Sequence, residues 1–341
     1  MKSNSKALLA AAGIAAFAFS PANAYEAGYA GWAQKPGATI GSSAGIPPPG
    51  IYMFNQLFTY QSNIVGPLTN AIGTHTGVQA AVDVQGFIFV PGWTFLGATY
   101  DAVIAQPFVM DSVGGPLNLN PAFPSQQAGM HNTFIAPVEL SWKLGTSGFA
   151  VKTGLGMYVP DGTQQGATGL LNVGNPWWTF QPELVISYLA NGWNLTAFLF
   201  DEINTRNSRT DYLTGDIFHA EFTFTKTIGK WTVGPVAYYT GQVTNDNCSS
   251  AKCLGFYPTG TLGNAQRYNL FAVGGLVEYN FGPASLSVWA AQEVVGNAKN
   301  NAAAALNADV STITRGATVF ATLSYRLWAP EEPPKAPMFH K

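Results

Sequence analysis

Hydrophobic and polar residues alternate with a period of two along most of the chain, which is the pattern of β-strands with one apolar face. In the clearest run, 77–90, Val78, Val82 and Ile88 share one face and Asp83 lies on the other. Most runs are long enough for a tilted strand of ~9–11 residues to cross a bilayer. The pattern predicts strands at 51–65, 76–90, 95–110, 132–144, 149–159, 178–189, 193–204, 215–227, 231–243, 268–281, 284–295 and 315–328.

The connections between these runs alternate between short and long. Every second connection is a tight turn, as at 190–192, whereas the others are mostly long and polar, as at 111–131 and 244–267. Barrels of the bacterial outer membrane show this asymmetry, with the short turns in the periplasm, and a soluble β-sandwich has no reason to sort its loops in this way. The sequence therefore predicts an all-β protein, a transmembrane antiparallel β-barrel of about 12 strands (range ~10–14) over residues 51–328.

The composition favours a membrane barrel over a soluble domain. Only 10% of the residues are charged, whereas soluble domains average about 25%. The mean hydropathy is +0.09, and no internal stretch has the ~20 apolar residues of a membrane helix. Several tryptophans, such as Trp93 and Trp231, lie near predicted strand ends, where an aromatic girdle is expected. The net charge of −2 argues against a nucleic-acid partner.

The two ends of the chain are predicted to lie outside the barrel strands. Residues 1–24 combine a basic start, an apolar core and a small-x-small site, so we expect a signal peptide that is cleaved after Ala24. Residues 25–50 show no alternation and are predicted to form either a periplasmic arm or a lumen plug. The Pro-rich tail 329–341 cannot join a ladder and is expected in the periplasm. The aromatic end of the last strand, 325–328, is the expected signal for the barrel-assembly machinery.

The chain has two cysteines, Cys248 and Cys253, which lie in a polar predicted loop. In an exported protein a close pair of this kind predicts a disulfide. The alternatives are two free thiols or half of a metal site, but no further ligand residue lies nearby in the sequence to complete such a site.

The face opposite the apolar one is predicted to line the lumen. A basic residue on the lipid face near the bilayer midplane costs ~2–4 kcal/mol, and an acidic one less, so charged strand residues are expected to point inward. Such a lining would favour neutral or cationic solutes, or the same residues would form ladders that rigidify the barrel. Phe87 and Phe89 share this parity. The lumen-lining candidates are Asp83, Asp101, Glu139, Lys152, Glu183, Phe198, Glu202, His219, Glu221, Glu278, Trp289, Glu293 and Arg326.

A barrel hydrolase is a competing class of function. His219 and Glu221 share one predicted face, but the sequence contains neither G-x-S-x-G nor H-E-x-x-H. A single inward histidine is more often a hydrogen-bonded lumen residue than a catalyst. We therefore predict no catalytic residue, no metal and no cofactor.

Three stretches of the sequence carry a family resemblance. They are PPPGIYMFNQLFTY at the first predicted strand, GMYVPDGT at 156–163, and the segment 177–246 with its Asn-Gly turn and the motif TDYLTGD. In these stretches the chain resembles the outer-membrane transporters of Gram-negative bacteria that are named for the meta-pathway of phenol degradation. The resemblance spans roughly residues 45–328 and implies a β-barrel that admits aromatic or other hydrophobic compounds. The cysteine loop and the long tail depart from the family pattern, and no family binding residues carry over.

Pattern and resemblance together predict an outer-membrane channel for the diffusion of small hydrophobic or aromatic compounds, gated by the long loops or by residues 25–50. The expected partners are outer-membrane lipid and lipopolysaccharide, the solute, and the barrel-assembly machinery. The alternatives are a structural or adhesive barrel with a closed lumen and, less strongly supported, an outer-membrane hydrolase.

Overall fold

The computed structural model describes residues 26, 28–29, 31–72, 76–114, 126–164, 172–262 and 265–330. The predicted signal peptide and most of the predicted tail lie outside the described residues, and so does part of the loop at 111–131.

Twelve long antiparallel strands form a closed barrel, as the alternation predicts. The last of them pairs with the first in register from Ile51 opposite Trp328 to Val65 opposite Ile313. Two short strands, β3 and β5, pair with β4 beside the main ladder. The strands are β1 (Gly50–Val65), β2 (Gly77–Val90), β3 (Thr94–Phe95), β4 (Ala98–Val113), β5 (Gln126–Met130), β6 (Phe134–Lys143), β7 (Phe149–Tyr158), β8 (Thr179–Tyr188), β9 (Trp193–Asn204), β10 (Ile217–Ile228), β11 (Trp231–Gln242), β12 (Arg267–Asn280), β13 (Ala284–Lys299) and β14 (Ile313–Trp328).

All twelve predicted strands are present, and their ends differ from the prediction by at most four residues. The sequence pattern missed β3 and β5 because strands of two and five residues are too short to show a period. The connections sort as predicted, with the short turns at one end and the long loops at the other. In the turn after β8, Asn191 and Gly192 both have positive φ values of 51° and 75°, which is the conformation of a tight hairpin with matching strand twist.

In the part of the long loops that the structure describes there are three short helices: α1 (Pro67–Ile72), α2 (Ala251–Phe256) and α3 (Asn301–Ala305). In the described ranges, no helix combines the length and apolar character that a membrane-spanning helix requires. The predicted disulfide is confirmed, because Cys248 and Cys253 are bonded with a Cα–Cα distance of 5.4 Å. The disulfide joins Cys248, in the loop between β11 and β12, to Cys253 in α2.

The outer surface of the barrel is apolar over much of its area and carries exposed tryptophans at the strand ends. Trp93, Trp193, Trp231 and Trp328 are at least 43% exposed, and all four lie at the short-turn end. Trp178 is exposed at the long-loop end. These rings occupy the positions of an aromatic girdle at the two membrane interfaces.

The predicted orientation of β2 is wrong. Val82 is buried at 7% exposure and faces the lumen, whereas Asp83 has the opposite parity and lies on the outer face. Phe87 and Phe89, which share the parity of Asp83, are 40% and 42% exposed. Alternation identifies the two faces of a strand, but it does not tell which face points inward when the lumen itself is apolar.

Residues 31–45, here called the inner segment, lie inside the barrel. The backbone N–H of Ala33 donates to Glu202 near the long-loop end, and that of Gly37 donates to Glu221 further along. Gly41 and Ala44 donate to side chains nearer the short turns, Thr223 and Ser187. The segment thus runs through the lumen along β8, β9 and β10.

Candidate binding site in the barrel lumen

A cavity of about 610 Å³ separates the inner segment from the opposite wall of the barrel. Its lining includes residues near both ends of the strands, from Asp111 at the long-loop end to Ser285 at the short-turn end. The wall formed by β1, β2 and β4 is predominantly apolar. The apolar lining residues on this wall include Phe54, Phe58, Ile64, Val78, Ala80, Val82, Val84, Ile88, Val103, Ala105, Pro107, Val109 and Val113.

A glycine shapes one part of this wall. The ring of Phe54 on β1 lies across Gly86 on β2, where a Cβ would come within 2.0 Å of the phenylalanine Cζ. These two residues are direct partners in the β1–β2 ladder. Because Gly86 has no side chain, the aromatic ring can lie flat against the wall instead of projecting across the cavity.

Three carboxylates and one lysine form a charged cluster in the same cavity, nearer the short turns. Asp101 is the ladder partner of Glu139, and Gly154 is the partner of both Glu139 and Glu183. An added Cβ at Gly154 would lie 3.0 Å from Glu139 Cγ and 3.0 Å from Glu183 Oε1. The glycine therefore leaves the space into which these two side chains converge.

Lys152 compensates only part of this negative charge. Its Nζ lies 2.6 Å from Glu139 Oε2 and 4.0 Å from Glu183 Oε1. Among the described residues, Asp101 Oδ1 and Glu183 Oε1 have no hydrogen-bond partner although they are buried. Over the same ranges, no group of histidine, cysteine or acidic side chains has an arrangement that could hold a metal ion.

Stacked aromatic rings fill the lumen on the β13–β14 side. The rings of Phe58 and Phe320 stack at 4.3 Å between centroids, and those of Phe320 and Trp289 at 4.4 Å. Tyr238 meets Trp289 edge-on at 6.4 Å. Gly37 of the inner segment lies against Trp289, because a Cβ at Gly37 would be 2.5 Å from the indole.

An ammonium group of the inner segment is held next to this aromatic stack. Lys35 Nζ lies 3.3 Å from Glu293 Oε1 and 4.3 Å and 5.1 Å from the ring centroids of Tyr60 and Tyr238. Glu293 also accepts hydrogen bonds from both tyrosine hydroxyls, at 2.7 Å and 2.9 Å, and from the N–H of Gly316. The barrel wall therefore holds this carboxylate in place independently of the lysine.

Two further predicted lumen acids bind the backbone of the inner segment. Glu202 accepts from the N–H groups of Ala33 and Gln34, at 2.8 Å each. Glu221 accepts from the N–H of Gly37 at 2.6 Å and from Thr39. Both carboxylates are hydrogen-bonded to the inner segment. They therefore anchor this segment and do not form part of a solute site.

His219 lies beside these anchors and is fully buried. Its ring stacks on Phe200 at 4.3 Å, and its Nε2 is 3.4 Å from Glu202 Oε1. Within the described ranges neither ring nitrogen has a hydrogen-bond partner. Over these ranges, His219 therefore does not make the nucleophile–histidine hydrogen bond of a Ser-His-Asp triad.

The remaining predicted lumen residues differ in their exposure to the cavity. Phe198 and Glu278 line it. Arg326 lies at the short-turn rim, where it donates to the carbonyl of Pro49 at 2.6 Å and sits 5.7 Å from the ring of Tyr52.

Just before the inner segment, the chain is held at the long-loop end by residues that the sequence pattern did not identify. Glu26 and its three hydrogen-bond partners are here called the Glu26 clamp. The buried carboxylate of Glu26 accepts hydrogen bonds from Asn207, Thr210 and Tyr257, at 2.8, 2.5 and 2.9 Å. Burial raises the pKa of Glu26 to about 7, against the opposing effect of these hydrogen bonds. Tyr257 directly follows α2, in the loop that the disulfide closes.

Glu26 and Lys35 were missed because residues 25–50 have no periodicity that a strand pattern can register. One signal was available, since they are the only charged residues between positions 25 and 50. Isolated charges in an apolar, Gly-rich segment predict buried partners.

The protein belongs to the class of bacterial outer-membrane barrels. The closed twelve-stranded antiparallel barrel has an apolar exterior, exposed aromatic residues at its rims, and short turns at one end with long loops at the other. A crystal structure of the COG4313 outer membrane channel from Pseudomonas putida F1 has the same fold, with a TM-score of 0.66 and 10% identity, covering 86% of this chain and 99% of that one. The β domain of the Bordetella autotransporter BrkA (14% identity, 82% and 100% covered) and a Pseudomonas aeruginosa FadL homologue (9%, 90% and 99%) are more distant, each with a TM-score of 0.43.

The family follows from the sequence. The model of the family described as "Putative MetA-pathway of phenol degradation" matches residues 59–305, and the chain belongs to this family. The expected resemblance is thus confirmed. A search of curated proteins gave no match.

Proposed function

We propose that this protein is an outer-membrane channel through which small hydrophobic or aromatic compounds diffuse. The observation that carries the proposal is the cavity of about 610 Å³ with an apolar wall inside the barrel. Its volume lies within the ~300–1,000 Å³ of pockets that hold small organic molecules, and such pockets combine apolar walls with a few polar groups. Membership of a family named for phenol degradation supports an aromatic solute.

In this proposal a solute leaves water by partition into the cavity between the inner segment and the wall of β1, β2 and β4. Burial of apolar surface favours entry by roughly 25 cal/mol per Å². The inner segment is held along its length by hydrogen bonds to Glu202, Glu221 and Ser187. It acts as the plug, and its displacement would widen the path.

The asymmetry of the loops orients the channel. Short turns face the periplasm in outer-membrane barrels, so the Glu26 clamp is on the cell surface and the Arg326 rim faces the periplasm. The same proposal includes export by a signal peptide that is cleaved after Ala24. The barrel-assembly machinery then inserts the barrel, and the C-terminal tail lies in the periplasm. The exposed apolar surface and its tryptophan girdle would contact lipid and lipopolysaccharide.

The proposed activity is transport without catalysis. The buried surroundings of His219, between Phe200 and Glu202, support a role in packing beside the anchors of the inner segment. A hydrolase would lose activity when His219 is replaced by alanine, and we expect no such activity in the wild-type protein.

A pair of variants on one strand tests the proposal. Ala80 lines the cavity, whereas its neighbour Ala81 is exposed on the outer face of the same strand. Ala80→Trp should fill the cavity and lower the uptake of a labelled aromatic compound, and Ala81→Trp should leave uptake unchanged. Intact Gram-negative host cells are the right assay, because plain phospholipid vesicles admit hydrophobic compounds unaided. Equal uptake with both variants and with cells that lack the protein would refute the proposal.

A further inference from the structure

We propose that the cavity selects solutes whose apolar body carries a cationic ammonium group, and that Asp101 and Glu183 receive this group. The inference rests on the proposed function, since it names the class of solute that the same cavity accepts. It is carried by the ratio of three carboxylates to one lysine in the cluster, and by two buried carboxylate oxygen atoms that lack a hydrogen-bond donor on side chains that line the cavity.

The charge balance of the cluster leaves a place for one more cation. Asp101, Glu139 and Glu183 are 3%, 4% and 6% exposed, and Lys152 is the ammonium group paired with them. Its short contact, 2.6 Å, is with Glu139. Buried charges are costly unless they are paired and hydrogen-bonded. A cationic group placed between Asp101 and Glu183 would supply the missing counter-charge.

The oxygen atoms that lack partners are in the right place to receive such a group. Asp101 Oδ1 and Glu183 Oε1 have no hydrogen-bond partner in the described residues, and both side chains line the cavity. An ammonium group carries three N–H donors and no acceptor, so it can serve both oxygen atoms at once.

The lumen already holds one primary ammonium in a comparable setting. Lys35 Nζ lies against the carboxylate of Glu293 and over the rings of Tyr60 and Tyr238. Carboxylates and aromatic faces together are typical of ammonium recognition. The Asp101–Glu183 pair has the carboxylates, and Phe198 supplies an aromatic ring to the lining of the same cavity.

A neutral donor would fit this site less well than a cation. The hydroxyl of a phenol or an alcohol donates one hydrogen bond and brings no positive charge to the carboxylates. An ammonium group donates up to three bonds and also neutralises charge, and hydrogen bonds to charged groups are about twice as strong as neutral ones. The site therefore discriminates by charge between solutes with the same apolar body.

Two probes of the same size separate these possibilities. Phenethylammonium and 2-phenylethanol share the ring and the two-carbon chain and differ in the head group. We expect the purified wild-type protein in detergent to bind phenethylammonium at least about tenfold more tightly in calorimetry, the order expected for charge-assisted hydrogen bonds. The comparison uses the wild-type protein alone, so it does not depend on the folding of a variant.

Variants then assign the site. Asp101→Asn combined with Glu183→Gln should remove most of the preference for the ammonium, because it should weaken the binding of phenethylammonium much more than that of 2-phenylethanol. Asp83→Asn is the control, because it replaces a carboxylate by an amide on the outer face, away from the cavity, and should keep the preference. Loss of the preference in Asp83→Asn, or its survival in the double variant, would overturn the assignment.

The outcomes for the two proposals differ. Equal binding of both probes to the wild-type protein would overturn the selectivity for ammonium, while the channel for hydrophobic compounds would stand. If neither probe binds and neither enters cells faster when the protein is present, the channel itself is refuted.

Discussion

Replacement of Lys35 by methionine should release the middle of the inner segment from the barrel wall. Methionine keeps most of the volume and the unbranched shape of the lysine but removes the ammonium group. The side chains of Lys35 and Glu293 are 7% and 0% exposed, so the pair is buried. In the variant, the carboxylate of Glu293 would stay in the lumen without its counter-charge.

The expected magnitude follows from the contacts of the remaining partner. Removal of one member of a buried ion pair costs about 3–5 kcal/mol. Glu293 retains hydrogen bonds from Tyr60, Tyr238 and the N–H of Gly316, so we expect a value at the lower end, about 3 kcal/mol. If the whole cost falls on the docked inner segment, the equilibrium constant for its release from the barrel wall rises about 100-fold.

Hydrogen exchange followed by mass spectrometry measures this opening. The N–H groups of Gly37, Thr39 and Gly41, which are bonded to the wall, should exchange faster in Lys35→Met, while the strand ladders serve as an internal standard. The double variant Lys35→Met/Glu293→Gln should regain most of the protection, because the uncompensated charge is gone. Unchanged protection in the single variant, or no recovery in the double variant, would refute the reasoning.

Three further predictions concern other parts of the structure. Between pH ~4.5 and ~7 the docked Glu26 binds more protons than the undocked one, so docking should weaken by about 2.5 kcal/mol from pH 5 to pH 8. The rate of proteolysis near Glu26 should rise with this change, and a rate that does not vary with pH in the wild type, or that varies equally in Glu26→Gln, would contradict the prediction. Replacing Cys248 and Cys253 by serine should lower the local stability of the loop between β11 and β12 by about 2 kcal/mol and should speed amide hydrogen exchange in α2. Unaltered exchange would show that this loop does not need the disulfide. Gly154→Ala should lower the free energy of unfolding in denaturant by about 1–3 kcal/mol, because the new Cβ would crowd two carboxylates; a neutral effect would mean that they can move apart.

The strands and the arrangement of the loops were predictable because both depend on local sequence. A run such as 218–227 shows its two faces directly, and the structure gives β10 almost the predicted limits, Ile217–Ile228. The turn at Asn191–Gly192 was equally visible, since positive φ values favour these residues. The disulfide followed from two nearby cysteines in a chain that is predicted to be exported.

The contacts of the inner segment could not be predicted in the same way. Glu26 meets Thr210 and Tyr257 across 184 and 231 residues of sequence, and Lys35 meets Glu293 across 258. No local pattern encodes a pairing over such distances. The prediction for the orientation of β2 was wrong for another reason. The alternation correctly separated the two faces of the strand, but the assumption that the apolar face meets lipid does not hold for β2.

The inverted polarity of β2 favours a path for solutes over the structural barrel with a closed lumen. A barrel that serves only as a scaffold gains stability by filling its interior, as Trp289 and Phe320 do on one side, since unfilled apolar volume is destabilising. On the other side, β2 directs its apolar residues at an open cavity and places Asp83 on the outer face, where Asn55 and Gln85 offset part of the cost by hydrogen bonds at 3.0 and 3.3 Å. Both features lower the stability of an empty barrel. They are consistent with a wall that is complementary to an apolar occupant, and the Ala80→Trp and Ala81→Trp pair tests whether that occupant is the solute.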